Sequence, residues 1–377
     1  MAKKLISQDG FFDIPQIERA VECVGIGVLV ILSLIFYKVL LRVLFGVVIV
    51  PEDRIGVVTK KFVLFGANKQ LPEGRIIALH GEAGTQGQTL APGLYFGKWV
   101  WQYSIEMIAF TTIPPGKLGL IIARDGAAIP TGRILASRVD CDSYQDVEQF
   151  LSAGGQRGRQ STMITAGVYR INRSMFEVSL TDITAIPDDQ VGVITTLDGV
   201  PLLNGQIAGD AIAGHNNFQD FDKFISANGS RGLQSQVVLA GSYNLNPWAV
   251  SIELKDMTVI NIGNVGVVIS YFGTEGKDLT GASFKHGDLV DTGCKGVWAV
   301  PLSPGKYALN PYITKVEIVP TTNLVLNWAS ARTESHKLDA NLSTITVRSK
   351  DGFPFNLDVS QIIHVPTAEA PKVITLS

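Results

Sequence analysis

The chain has 377 residues, 46% of them hydrophobic and 18% charged, with a net charge of -2. That balance holds no basic excess to neutralise phosphates, which argues against a nucleic-acid partner. Cys23, Cys141 and Cys294 are odd in number, far apart and without Cys-x-x-Cys spacing, so they give neither a disulfide framework nor a zinc site.

From Cys23 to Leu41 the sequence is apolar apart from Lys38. At 1.5 Å per residue this run rises roughly 28 Å, enough to cross a bilayer core. Val24, Leu29, Ile31, Leu34, Ile35 and Phe36 are the candidate lipid-facing residues, and Lys38 and Arg42 stand where long basic side chains can reach the headgroups. A cleaved signal peptide fits poorly, because Asp9, Asp13, Glu18 and Glu22 precede the run and no small-residue cleavage site follows it. Residues 1–22 are therefore read as an interfacial segment and 23–47 as a transmembrane anchor. Lys38, Arg42, Arg54, Lys60 and Lys61 after the anchor, against Lys3, Lys4 and Arg19 before it, lean the bulk of the chain to the cytoplasmic side of a plasma or inner membrane. The alternative is an amphipathic foot around Phe11-Phe12-Asp13-Ile14-Pro15, with the main run dipping into the membrane and returning. Gly25-Ile26-Gly27 makes no dinucleotide fingerprint and reads as a surface for close helix packing.

A repeat follows. Ile55-Gly56-Val57-Val58, Leu118-Gly119-Leu120-Ile121, Val191-Gly192-Val193-Ile194 and Val265-Gly266-Val267-Val268 place glycines roughly 63, 73 and 74 residues apart. A second phrase keeps step, with Tyr95, Tyr169, Tyr243 and Tyr307 each two residues after a glycine, as in Ala240-Gly241-Ser242-Tyr243-Asn244-Leu245-Asn246. A third, Gly74-Arg75-Ile76-Ile77, returns as Gly132-Arg133-Ile134-Leu135 and Gly205-Gln206-Ile207-Ala208 and is missing from the fourth copy. The units are bounded at 48–107, 108–180, 181–254 and 255–319. Each opens on a turn, Pro51-Glu52-Asp53, Pro114-Pro115-Gly116, Pro187-Asp188-Asp189 or Gly263-Asn264, which marks the start of a strand. The glycine inside each Gly-Val phrase removes a side chain where a neighbour comes close, or marks a bulge. The tyrosine presents a broad apolar face with a polar tip.

Units two and three carry an insertion, Phe150 to Gln160 and Phe224 to Gln234, each preceded by one or two helical turns ending at glycines. Its glycines and arginines could form an anion nest, but no Gly-Lys-Ser/Thr follows, and a repeated surface loop is the favoured reading. His80, His215, His286, His336 and His364 have no partner at i+3 or i+4, and no nucleophile elbow occurs, so neither metal, cofactor nor catalytic residue is expected.

The pattern changes after 319. Ile345-Thr346-Val347-Arg348 and Phe353-Pro354-Phe355-Asn356-Leu357-Asp358-Val359 alternate about an Asp351-Gly352 turn, a hairpin signal. Ser349-Lys350-Asp351-Gly352, the alternating strand and the Val365-Pro366 exit resemble the start of the stomatin/prohibitin/flotillin (SPFH, band 7) domain. Ser349 stands where that family has threonine. The family's opening phrase is echoed by Arg54-Ile55-Gly56-Val57-Val58 and by Leu90-Ala91-Pro92-Gly93-Leu94-Tyr95-Phe96 in unit one. Tandem β modules leading into such a domain are laid out as in the major vault protein, whose repeats stack into a barrel wall.

The expected fold is therefore mainly β with minor α: a transmembrane helix, four β-rich modules, and the start of an SPFH domain over 320–377 that continues into a helix beyond the chain. The resemblance implies a non-enzymatic scaffold on membrane lipids that forms a homo-oligomeric ring or cage. Such a scaffold organises a membrane microdomain and encloses or regulates membrane proteins, proteases among them. An extracytoplasmic adaptor or conduit of stacked β modules is the alternative.

Overall fold

The computed structural model describes residues 14–64, 70–280, 289–329 and 339–376. Strand far outweighs helix, at 41% against 12%, so the described residues are mainly β. It divides into two compact units, one formed by Met1–Pro130 with Ala136–Thr181, the other by Thr131–Leu135 with Asp182–Ser377.

The first unit opens with helix α1, Ile14–Leu44, of which Arg42 is the basic residue in the last turn. Val24, Leu29, Ile31, Leu34, Ile35 and Phe36 are all more than half exposed. The side chains of Cys23, Ser33, Lys38 and Leu40 lie outside the described residues, which breaks the described apolar surface of α1 into 24–32 and 34–37. Among the described residues no helix is long and apolar enough to cross a membrane. Phe11, Phe12 and Asp13 of the expected interfacial segment also lie outside the described residues.

After α1 the same order of elements occurs four times. A short lead strand, Val48–Val50, Thr111–Ile113, Thr184–Ile186 or Thr258–Ile260, leads into a turn. In that turn the amide of Arg54, Lys117, Gln190 or Asn264 donates to the carbonyl three residues back. A central strand follows, Arg54–Lys60, Lys117–Ala123, Gln190–Thr196 or Asn264–Ser270. In the first three copies a return strand, Gly84–Leu90, Gly158–Ile164 or Gly232–Val238, pairs along one edge of it. A closing strand, Tyr103–Ala109, Phe176–Asp182, Val250–Asp256 or Thr314–Pro320, lies along the other edge. Between return and closing strands, the Gly-x-Tyr segment pairs antiparallel with the copy's own lead strand, as in Thr184↔Tyr243 and Thr258↔Tyr307. In the fourth copy Leu289–Val290 and Gly296–Trp298 replace the return strand.

The central strands are two-sided, with buried runs such as Val191, Gly192, Val193 and Ile194, so they read as near-continuous apolar sequence. The glycine inside them makes room for aliphatic side chains. A Cβ at Gly192 would stand 2.5 Å from Ile252 Cδ1 and 2.9 Å from Ile186 Cδ1, and one at Gly266 would stand 2.4 Å from Ile260 Cδ1. Beyond the glycine the pairing with the return strand slips, at Val57/Thr59, Leu120/Ile122 and Val193/Thr195, so a bulge is present as well.

The two middle copies each add a short helix, α2 at Val147–Ser152 and α3 at Phe221–Ser226, capped by Asp146 and Asp220. Phe150 and Phe224 are at most 1% exposed and centre the two largest cores, so the insertion is not wholly a surface loop: its first residue is core and its last three begin a strand. A Cβ at Gly155 or Gly229 would strike the Phe150 or Phe224 ring at 2.4 or 2.3 Å.

After the fourth copy, Ile345–Arg348 and Pro354–Leu357 form the expected hairpin, with Gly352 at φ +89° in its turn. The second strand stops at Leu357. Val359–Ile363 pairs instead with Leu324–Trp328, so the alternating run serves two partners. Helix α4, Ala370–Leu376, sets Ala370 and Ile374 on Val265, Val267 and Val319 of the fourth copy's sheet.

Candidate functional site: the joints between modules

The repeated polar chemistry of this chain sits where one copy meets the next. Eight residues after the start of each middle central strand stands an aspartate, Asp125 or Asp198, each 1% exposed. Asp125 Oδ2 accepts from the amides of Ile76 and Ile77 in the preceding copy at 2.7 and 2.8 Å, and its Oδ1 accepts from the Gly126 amide at 2.7 Å. Asp198 accepts in the same way from Ile134 and Leu135 at 3.2 and 3.1 Å and from Gly199 at 2.8 Å. Arg133 Nε reaches both oxygens of Asp198 at 3.1 and 3.0 Å, while Arg75 Nε stands 3.6 Å from Asp125. A buried carboxylate is tolerable because amides and a guanidinium surround it. In the fourth copy the same position is Phe272, and the third copy's arm carries Gln206 in place of arginine. Both halves of the charge pair are absent together.

An asparagine three residues after the repeated tyrosine makes a second joint. Asn172 is fully buried; its Nδ2 donates to the carbonyls of Gln86 and Gly87 at 3.2 Å, and its Oδ1 accepts from the Ser174 amide at 3.0 Å. Asn310 repeats this, donating to the Gln234 carbonyl at 2.8 Å and accepting from the Tyr312 amide at 3.0 Å. Each amide side chain thus ties its own turn to the return strand of the copy before it. The tyrosines close their own loops: Tyr95, Tyr169, Tyr243 and Tyr307 donate to the carbonyls of Ala91, Thr165, Ala240 and Ser303.

Before α2 and α3, three successive residues hold left-handed backbone, Asp142, Ser143 and Tyr144 at φ 49°, 54° and 66°, and Asn216, Asn217 and Phe218 at 49°, 51° and 64°. For residues with a Cβ this costs about 1–2 kcal/mol each. The aromatic cores repay it: Tyr144 meets Phe176 at 5.2 Å, and Phe218 meets Phe224 at 5.4 Å. His215 is packed into the second of these cores, its Nδ1 accepting from the Phe218 amide at 2.8 Å. Burial pushes the Cys141 thiol up from its ordinary value. Open clefts of about 210 and 410 Å³ lie at the two left-handed turns, lined respectively by Asp142, Asp146 and Arg170 and by His215, Asn216 and Gln236.

The loop amides that sequence raised as an anion nest serve carbonyls instead: Gly155 donates to Phe150, Arg157 to Ala127 and Gly229 to Phe224. Among the described residues no group of His, Cys, Asp and Glu could hold a metal, and His286 and His336 lie outside them. Gly56, Gly119, Gly192 and Gly266 occupy equivalent places in four sheets, and the residues expected to form the anchor lie on α1. Asp351 and Gly352 lie in an exposed turn, closed by the Gly352 amide donating to the Ser349 carbonyl at 2.9 Å. The aspartate joints were missed in the sequence. Their signal was present as Asp-Gly in both middle copies, matched by Gly-Arg-Ile in the copy before each.

The profile of the SPFH domain / Band 7 family matches residues 258–377, from the lead strand of the fourth copy through α4. Residues 258–377 are thus similar to the SPFH superfamily, a class consistent with membrane-associated scaffolds. No curated protein matches the chain.

Proposed function

We propose that this protein is a membrane-anchored, non-enzymatic SPFH scaffold whose copies assemble into a ring or cage, organising a patch of membrane and confining or regulating membrane proteins within it. The observation that carries the reading is the SPFH match over 258–377, which begins inside the fourth module and so makes the family's domain continuous with the array. The exposed apolar surface of α1 supports its role as the anchor, since burying such side chains in lipid is worth about 1.5–3 kcal/mol each. The basic residues after α1 favour modules on the cytoplasmic side. Vault-like stacking of the modules accounts for the repeated joints, each of which holds one copy to the next. Assembly then multiplies weak lateral contacts through effective concentration.

The test is electron microscopy of full-length protein extracted in mild detergent with bound lipid. Closed particles of uniform symmetry are expected; monodisperse monomers or dimers would refute the enclosure. Sidedness is read separately from a Leu203→Cys variant in a background lacking the native cysteines, because Leu203 is 72% exposed. Labelling of intact cells by an impermeant maleimide would favour the conduit reading.

A further inference from the structure

Where α1 ends, the first module gathers side chains unlike those of the other three. Gly46, at φ +62°, ends the helix, and the chain locks onto the module there: the Gly97 amide donates to the Phe45 carbonyl at 3.1 Å and the Lys98 amide to the Gly46 carbonyl at 2.9 Å. A Cβ at Gly46 would meet the Lys98 amide nitrogen at 2.6 Å, so this close approach needs glycine. Trp99 Nε1 donates to the Leu44 carbonyl at 3.3 Å, capping the helix. Trp99 stacks on Trp101 and Trp101 on Phe62, each pair 5.8 Å between ring centroids. Phe62 and Trp101 are 40% and 47% exposed, and Phe96, beside Gly97, is 66% exposed.

Three lysines gather at this rim. Lys60 Nζ donates to the Gly81 carbonyl at 2.7 Å, Lys61 Nζ to the Val100 carbonyl at 2.9 Å, and Lys98 Nζ lies 4.9 Å from the Tyr103 ring centroid. Among the ion pairs of the described residues none involves these three lysines. Burial, and then the neighbouring Lys60, hold the Lys98 ammonium below its ordinary value, as expected for cations crowded without a counter-charge. Stacked tryptophans, Trp99 half-buried and Trp101 exposed, next to lysines without a carboxylate match the layer of a bilayer where aromatic rings sit at headgroup level and basic groups meet lipid phosphates.

We propose that the first module itself seats on the membrane, with Phe62, Phe96, Trp99 and Trp101 in the interfacial layer and Lys60, Lys61 and Lys98 on anionic phospholipid headgroups. This rests on the anchor reading of α1. If residues 24–44 cross the hydrocarbon core, they rise about 30 Å. Leu44 then stands at the boundary of the core, and Trp99, bonded to its carbonyl, stands at interfacial depth. The module is thereby held at a fixed height rather than swinging from a linker.

The test uses full-length protein in vesicles whose lipids are brominated either near the carbonyl end or near the methyl end of the acyl chain. Two of the five tryptophans belong to the rim, so about two-fifths of the emission is expected to be quenched, more by the shallow label than by the deep one. The variant carrying Trp99→Phe and Trp101→Phe should lose that quenching and still float with the vesicles. Quenching should grow with phosphatidylserine content, and Lys61→Gln with Lys98→Gln should abolish the growth. Protein that floats, resists carbonate extraction and is not quenched overturns the seat and leaves the anchor intact. Protein that does not float overturns both, and quenching indifferent to lipid charge overturns the choice of anionic headgroups.

Discussion

Replacing Asp198 by alanine tests the joint between the second and third copies. The substitution leaves the amides of Ile134, Leu135 and Gly199 without their acceptor and deprives Arg133, whose side chain is 22% exposed, of its partner. Each buried amide left unsatisfied costs about 1–3 kcal/mol, and removing one member of a buried ion pair about 3–5 kcal/mol, in terms that overlap rather than add. We therefore expect about 3–5 kcal/mol of local destabilisation. Since 1.4 kcal/mol is a factor of ten, amide exchange in the 131–136 segment should accelerate by roughly two to three and a half powers of ten. Hydrogen exchange read by mass spectrometry on full-length protein measures this directly, which suits an array whose copies need not unfold together. Arg133→Gln alone should cost less, because it leaves the three amide bonds in place. Unchanged exchange in 131–136 in the Asp198→Ala variant would show that Asp198 does not hold this segment.

Three further outcomes are expected. Asn172→Asp should destabilise the first unit more than Asn172→Ala, by about 2 kcal/mol, because a carboxylate would face the carbonyls of Gln86 and Gly87; urea midpoints in the opposite order would refute it. Gly192→Ala should cost about 1–3 kcal/mol by overpacking against Ile252 and Ile186, and Ile186→Val, which removes the Cδ1 atom 2.9 Å from the added Cβ, should restore part of it in the double variant. Cys141 is 2% exposed and its thiol is pushed up by burial, so less thiolate is present at neutral pH than for a free cysteine. Iodoacetamide should therefore modify Cys294 well before Cys141 in folded protein, and equal rates would contradict the packing described here.

The repeat was legible because its signals are local. The i to i+3 turn at Pro51, Pro114, Pro187 and Asn261, the crowded glycine of each central strand and the tyrosine that closes its loop each depend on neighbours within a few residues or one strand away. The aspartate joints were not legible in that way. Asp198 looks like an ordinary Asp-Gly turn until the arm of the preceding copy, more than sixty residues earlier, is laid on it. Phe150 misled for a related reason: the glycines after it read as an exposed loop, whereas Gly155 lacks a side chain because the Phe150 ring occupies its place. The strand break at Asp358 was hidden too, since period-two alternation continues unchanged when a chain leaves one partner strand for another.

The outer copies differ from the middle ones at the positions that make the joints. Where the middle copies have aspartate, the first has Phe62 and the fourth Phe272; where the later copies have asparagine, the first has Lys98. A buried carboxylate or amide is favourable only if the preceding copy supplies amides or carbonyls to it. The first module follows a helix rather than another sheet, so those groups would stand unsatisfied there; instead the Lys98 amide donates to the Gly46 carbonyl at the end of α1, and Phe62 stacks on Trp101. At the other end, Ala370 and Ile374 of α4 cover the apolar face of the fourth sheet, including Val265 and Val267. The same positions in the third sheet, Val191 and Val193, are also at most 2% exposed. A terminal repeat must find a different cover for the face its neighbours bury against one another. In this chain α4, inside the segment that matches the SPFH family, supplies that cover, which gives a physical reason for the match to begin within the fourth module rather than after it.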